Sequence, residues 1–124
     1  MDNRTILSAA AVSLALATAG GALGAHGLKA VLAPQSLEIF ETAVRYHFYH
    51  SLGLLGVGIV ARTRPTRWIA RTAWLLVAGI VLFSGSLYAL TFGAPRILGV
   101  VTPLGGAALI LGWLSFAVAV RSAD

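Results

Sequence analysis

The stretch TAWLLVAGIVLFSGSLYALTFGAP, residues 72–95, runs for 24 positions without a charged residue. A helix rises about 1.5 Å per residue and the hydrocarbon core of a bilayer is about 30 Å thick, so about 20 apolar residues cross it. A soluble helix of this length needs a polar face toward water, and this stretch lacks the residues to make one. Three further runs are uncharged: residues 5–28, 46–61 and 97–120. The chain of 124 residues is 58% hydrophobic and 10% charged, where an average soluble domain has about 25% charged residues. A water-soluble globule and a disordered chain are both excluded by that balance. The absence of cysteine excludes a disulfide scaffold, a zinc ribbon and a thiol nucleophile.

The reading is all-α: an integral membrane bundle of four transmembrane helices in one domain, residues 1–124, with spans at about 6–25, 46–61, 72–90 and 98–120. The second run is short, about 24 Å by the same rise. Arg45 can snorkel outward on its apolar stem and so lengthen it. The first run also resembles a secretory signal peptide. Asp2 and the continuation through Gly20–Ala25 favour a retained span.

An even number of spans places both termini on one side. That side would hold Arg4, Arg62, Arg64, Arg67, Arg71 and Arg121, against Lys29, Arg45 and Arg96 on the other. Cytoplasmic loops carry the excess of basic residues, so both termini are expected in the cytoplasm. Trp68 and Trp74 then mark the cytoplasmic interface and Tyr46, Tyr49 and Tyr88 the outer one. The net charge of +5 is explained by this topology, and a weak attraction to anionic headgroups follows from the same charges. No basic stripe or recognised fold accompanies it, so no nucleic-acid partner is expected.

The segment from His26 to Arg45 faces outward in this scheme. Pro34 suits a first helical position, and Arg45 follows Glu41 by four residues, the favourable order for an ion pair. On a helical wheel Glu38, Glu41, Arg45 and Tyr49 share one face, and Phe40, Ala43, His47 and His50 the opposite one. A short amphipathic helix between spans one and two is therefore expected, running on or bending into span two. His26, His47 and His50 all fall at this end. Neutral imidazoles bind zinc, copper or haem iron, so the three form a candidate metal site. They can equally relay protons or hydrogen-bond helix carbonyls.

Gly20 and Gly24 form a GxxxG pair, which lets a neighbouring helix approach closely. Gly85, Gly105 and Gly106 are the other candidate packing glycines. Ser84 and Ser86 can bond their own helix or reach a neighbour. No Gly-x-Ser-x-Gly elbow is present. Thr102-Pro103 either starts the last helix or kinks a longer one.

Four blocks stand in order along the chain: Gly24-Ala25-His26-Gly27-Leu28; Phe40-Glu41-Thr42-Ala43-Val44-Arg45-Tyr46 with Tyr49-His50; Phe83-Ser84-Gly85-Ser86-Leu87-Tyr88; and Thr102-Pro103-Leu104-Gly105-Gly106 with Gly112-Trp113. Together they resemble the small membrane proteins of the domain of unknown function 423 family, whose eukaryotic relatives are called transmembrane protein 256. The resemblance covers nearly the whole chain. It implies a compact four-helix bundle in a bacterial inner membrane. It carries no established reaction or cofactor, and it matches His26, Glu41, Arg45, Tyr46 and His50. His26, Glu41, Arg45 and His50 are accordingly the polar cluster to test.

The function expected is that of an accessory or structural bundle, not an enzyme, with no cofactor. It would associate with the lipid bilayer, with itself as a homo-oligomer or with a larger membrane complex. Two alternatives differ in class: a metal- or haem-binding membrane protein using the outer histidines, and a small transporter or proton pathway.

Overall fold

The computed structural model describes residues 1–122. Helix α1 (Asn3–Ala25) starts at Asp2, whose carboxylate accepts the Thr5 N–H at 2.8 Å. That satisfies one of the unpaired donors of the first turn. At His26 the chain turns into the short helix α2 (Gly27–Val31). Helix α3 (Pro34–Val60) follows, with Pro34 in its first turn, where a missing N–H costs nothing. Helix α4 (Arg67–Gly79) is capped by the Thr66 hydroxyl, which accepts the Ile69 N–H at 3.2 Å. A π-helical turn, Ile80–Ser84, carries it without a break into α5 (Gly85–Thr91). After a turn at Gly93, whose φ is +92°, a 3-10 segment Arg96–Val100 leads into α6 (Val101–Arg121). No strand occurs among the described residues.

Three helical stretches are long and apolar enough to cross a membrane: Asn3–Val31, Arg67–Thr91 and Arg96–Arg121. Helix α3 falls outside that group because Tyr46, His47, Tyr49, His50 and Ser51 dilute the apolar run in its middle. The amphipathic segment expected before span two, running on or bending into it, runs on and is no short helix of its own. Its residues and those of the second run form one continuous helix of 27 residues. The two faces read from the wheel do stand: Phe40, Ala43, His47 and His50 are buried, and Glu38, Glu41, Arg45 and Tyr49 are exposed. Pro103 lies in the first turn of α6, so it does not kink the helix. Thr102 bonds a neighbouring helix and does not cap its own.

Helix α1 packs antiparallel on α3, and α4 antiparallel on α6, while α3 joins the two pairs by touching α4, the π turn and α5. Ile6, Leu54, Val57, Ile69 and Leu76 form one buried cluster across these helices. Close approaches along the seams use small residues. A Cβ built at Gly24 would lie 3.1 Å from the Phe40 ring, and one at Gly58 would lie 2.7 Å from Leu7. At Gly105 the Cβ would run into the backbone of Leu82 and Phe83, inside the π turn. Gly106 has room, with Phe83 at 3.7 Å, and Gly85 faces open space within 4 Å. Gly85, expected to pack, therefore makes no close helix approach.

The outside of the bundle is apolar. Val12, Leu16, Ile59, Val81, Ile110 and Leu114 are each 57% to 63% exposed, which suits lipid as the surrounding phase and not water.

Candidate functional site: a polar chain centred on His47

The expected cluster of His26, Glu41, Arg45 and His50 is spread over three places. Exposed His26 sits at the corner between α1 and α2. Glu41 and Arg45 are exposed and line a shallow groove with Gly20, Gly24, Phe40 and Val44. His50 is buried and faces another direction, with its ring 6.1 Å from that of Trp113 on α6. Its Nδ1–H donates to the Tyr46 carbonyl of its own helix at 2.7 Å. Among the described residues no group of three or more histidine, aspartate or glutamate side chains is close enough to hold a metal ion. His26, His47 and His50 are thus not assembled as a ligand set.

The histidine that joins helices is His47. Its Nε2 lies 3.0 Å from the Ser13 hydroxyl on α1, and its Nδ1 lies 2.9 Å from the Tyr88 hydroxyl on α5. Ser13 is also hydrogen-bonded to Ser51. The Ser51 hydroxyl donates to the His47 carbonyl at 2.7 Å.

With a neutral imidazole at His47, these contacts assign every proton, because each hydroxyl has only one. A carbonyl can only accept, so the Ser51 proton is engaged there. Ser13 is then the donor to Ser51. With its proton so placed, Ser13 accepts from His47 Nε2–H. Nδ1 is left as the acceptor, and Tyr88 donates to it. The chain runs one way, from Tyr88 through His47, Ser13 and Ser51 to a backbone carbonyl, around a neutral imidazole. Among the described residues no buried side-chain nitrogen or oxygen lacks a partner.

The same helices frame an apolar groove of about 480 Å³ between α1 and the π turn and α5, with His47 and Leu54 at its floor and Ser13 and Tyr88 at its sides. Nearby, the Ser84 hydroxyl crosses from the π turn to the Ala43 carbonyl of α3 at 2.8 Å. Ser86 meets Thr102 at 2.6 Å, joining α5 to α6. Phe40 packs against Tyr88, ring centroids 5.4 Å apart. Sequence reasoning placed His47 beside His50 by their spacing of three. It did not link His47 to Ser13, Ser51 or Tyr88. The available signal was the pair His47 and Ser51, four apart on the face opposite the charges.

At the other end the α3–α4 loop, the start of α1 and the end of α6 come together. Met1–Asn3 border a hollow with Ala61, Pro65, Thr66, Ile69 and Ala70, and Arg64 donates to the Val120 carbonyl at 3.1 Å.

The family model described as "Protein of unknown function (DUF423)" matches residues 20–106. The UPF0382 membrane protein YwdK of Bacillus subtilis is 44% identical over 110 residues, which cover 88% of this chain and 89% of that protein. A UPF0382 membrane protein of Haemophilus influenzae is 38% identical over 112 residues, covering 90% and 89% of the two chains. The UPF0382 inner membrane protein YgdD of Escherichia coli is 35% identical over 113 residues, covering 91% and 86%. No solved structure matches the chain.

Proposed function

The chain belongs to the DUF423 family of small membrane proteins, and on that premise we propose that it is a four-span, non-enzymatic accessory bundle acting through its lipid-facing exterior. The observation that carries this is the saturation of the interior: the buried polar side chains of the described residues all have partners, and the His47 chain ends on a backbone carbonyl. A network closed in this way clamps helices together, which supports a packing role for the His47 face.

Helix α3 is the proposed fourth span. Its 27 residues reach about 40 Å. His47 and Ser51 turn inward onto α1 and α5, as intramembrane polar groups do. Exposed Leu52 and Ile59 face outward. Both termini are then on the side of Arg62, Arg64, Arg67 and Arg71, and the basic excess there puts that side in the cytoplasm.

The chain has no cysteine, so single introduced thiols report sidedness cleanly. Ser36→Cys should react with a membrane-impermeant maleimide in intact cells, and Thr63→Cys only after permeabilisation. Labelling of both from one side would refute the fourth span. The purified protein in sealed vesicles should give no proton flux above empty vesicles, and a flux abolished by His47→Ala would overturn the accessory reading.

A further inference from the structure

A groove of about 500 Å³ runs down the outer seam between α4 and α6 at the arginine-rich end. Arg71 stands at its rim with the guanidinium carbon 4.9 Å from the centre of the Trp68 ring. Trp74, Leu75, Leu111 and Leu114 continue the groove into the apolar belt. Trp74, Leu111 and Leu114 are all exposed. We propose that this groove is a binding site for an anionic phospholipid, with the phosphate at Arg71 beside Trp68 and one acyl chain laid along Leu75, Leu111 and Leu114. This rests on the reading of the chain as a lipid-embedded bundle.

Charge is the first argument. Four arginines occur within residues 62–71. The one carboxylate at this end among the described residues, Asp2, is engaged by the Thr5 amide. Arg67 and Arg71 lie in the opening turns of α4, and no acid accompanies them in its first turn. The helix's own partial positive charge therefore adds to theirs, an arrangement that a bound anion relieves. Placement is the second argument. The cation–π contact holds Arg71 over an aromatic ring at the boundary, and tryptophan favours the headgroup level. The third is continuity: the cationic rim and the apolar groove adjoin. A phospholipid carries an anionic head directly attached to an acyl chain, so one molecule satisfies both. Basic pockets between membrane helices bind anionic headgroups on these terms.

The test uses the full chain in phosphatidylcholine vesicles, with brominated phosphatidylglycerol or brominated phosphatidylcholine as the quencher of tryptophan fluorescence. Trp68 and Trp74 lie in the groove, and Trp113, packed against Phe116 and His50, adds a background common to the parent and its variants. The expected result is a preference of about fivefold for the brominated phosphatidylglycerol, the value of one arginine near the surface. Arg71→Gln should abolish it. Leu111→Phe, which fills the groove and keeps every charge, should abolish it too. A preference that survives Leu111→Phe undiminished, or vanishes in high salt, is diffuse surface attraction and overturns the site. Equal quenching by the two lipids also overturns it, leaving this face to a protein partner. Flotation separates the two readings: insertion without lipid preference refutes this site alone, whereas failure to insert refutes the embedded bundle with it.

Discussion

Gly105→Ala is the sharpest test of how the two helix pairs hold together. A Cβ at position 105 would lie 2.7 Å from both the Leu82 carbonyl carbon and the Phe83 Cα, and closer still to the Phe83 nitrogen. Ordinary contact begins near 3.4 Å, so α6 must retreat by at least 3.4 − 2.7 = 0.7 Å. These atoms are backbone and cannot rotate aside. A gap of about 0.5–1 Å forfeits a quarter to a half of each dispersion contact it opens. The retreat is shared along the seam, where Gly79 accepts Leu109 and Gly112 accepts Leu76. It also stretches the Ser86–Thr102 bond, now 2.6 Å. Overpacking costs about 1–3 kcal/mol and one interhelical hydrogen bond about 0.6 kcal/mol. Alanine returns about 0.5–1 kcal/mol of helix preference. The net expectation is a loss of about 2 kcal/mol.

The neighbouring residue is the control. A Cβ at Gly106 would meet Phe83 at 3.7 Å, an ordinary contact. Gly106→Ala should therefore lie within about 0.5 kcal/mol of the parent, toward greater stability. Both variants can be unfolded with SDS in mixed micelles and followed by far-ultraviolet circular dichroism and tryptophan fluorescence. Equal midpoints for the two variants would refute the backbone approach at Gly105 and the role given to the π turn.

His47→Ala should destabilise by about 2–4 kcal/mol in the same assay, because it opens a cavity and strands the Tyr88 hydroxyl; His50→Ala, whose ring bonds only its own helix, should cost about half as much, and the reverse order would refute the role given to His47 in joining the helices. At the start of α1 the Thr5 amide holds the Asp2 carboxyl below its ordinary 3.8. The ionised cap is therefore in place at neutral pH and is lost as pH falls through that lowered value. Hydrogen exchange at Thr5 and Ile6 should speed up on such acidification beyond its intrinsic pH dependence, and Asp2→Ala should remove the pH-dependent part.

The helical runs were legible because the contrast they record, charge against none, is the one a bilayer imposes. The wheel of the 34–50 segment was legible for the same reason: Glu38, Glu41 and Arg45 mark the outside, so Phe40, Ala43 and His47 had to be inside. What those inside groups touch was not legible. Ser13 and His47 are 34 positions apart and His47 and Tyr88 are 41 apart, so the chain among them exists only once three helices have a register. The glycines divide similarly. Gly20 and Gly24 announce themselves by spacing, and each does meet α3, at Val44 and Phe40. Gly58, Gly79 and Gly112 sit in no GxxxG pair yet make close approaches, and Gly85, expected to pack, faces open space. Spacing shows that a helix has a small face, and only the neighbour's position shows whether that face is used.

The same logic bears on α3, the helix whose hydropathy alone would leave it out of the membrane. In water a polar residue on a helix points outward and marks the solvent side. In lipid it must point inward and find a partner, since the surrounding phase offers none. The residues that lower the hydropathy of α3 include His47, His50 and Ser51, and all three are buried and hydrogen-bonded. Its outward residues include Phe48, Leu52 and Ile59. An average along the chain cannot register that difference, because it adds inward and outward positions together. Read by face, α3 is apolar toward its surroundings from Leu52 onward, and exposed Tyr46 and Tyr49 lead from there to the Glu38–Arg45 end, where charges can reach the interface. Its polar residues are then the mark of the central helix of the bundle. On the proposed four-span reading it is the one that must grip α1 on one side and α4 and α5 on the other, in a phase where apolar contact alone gives no reason to associate.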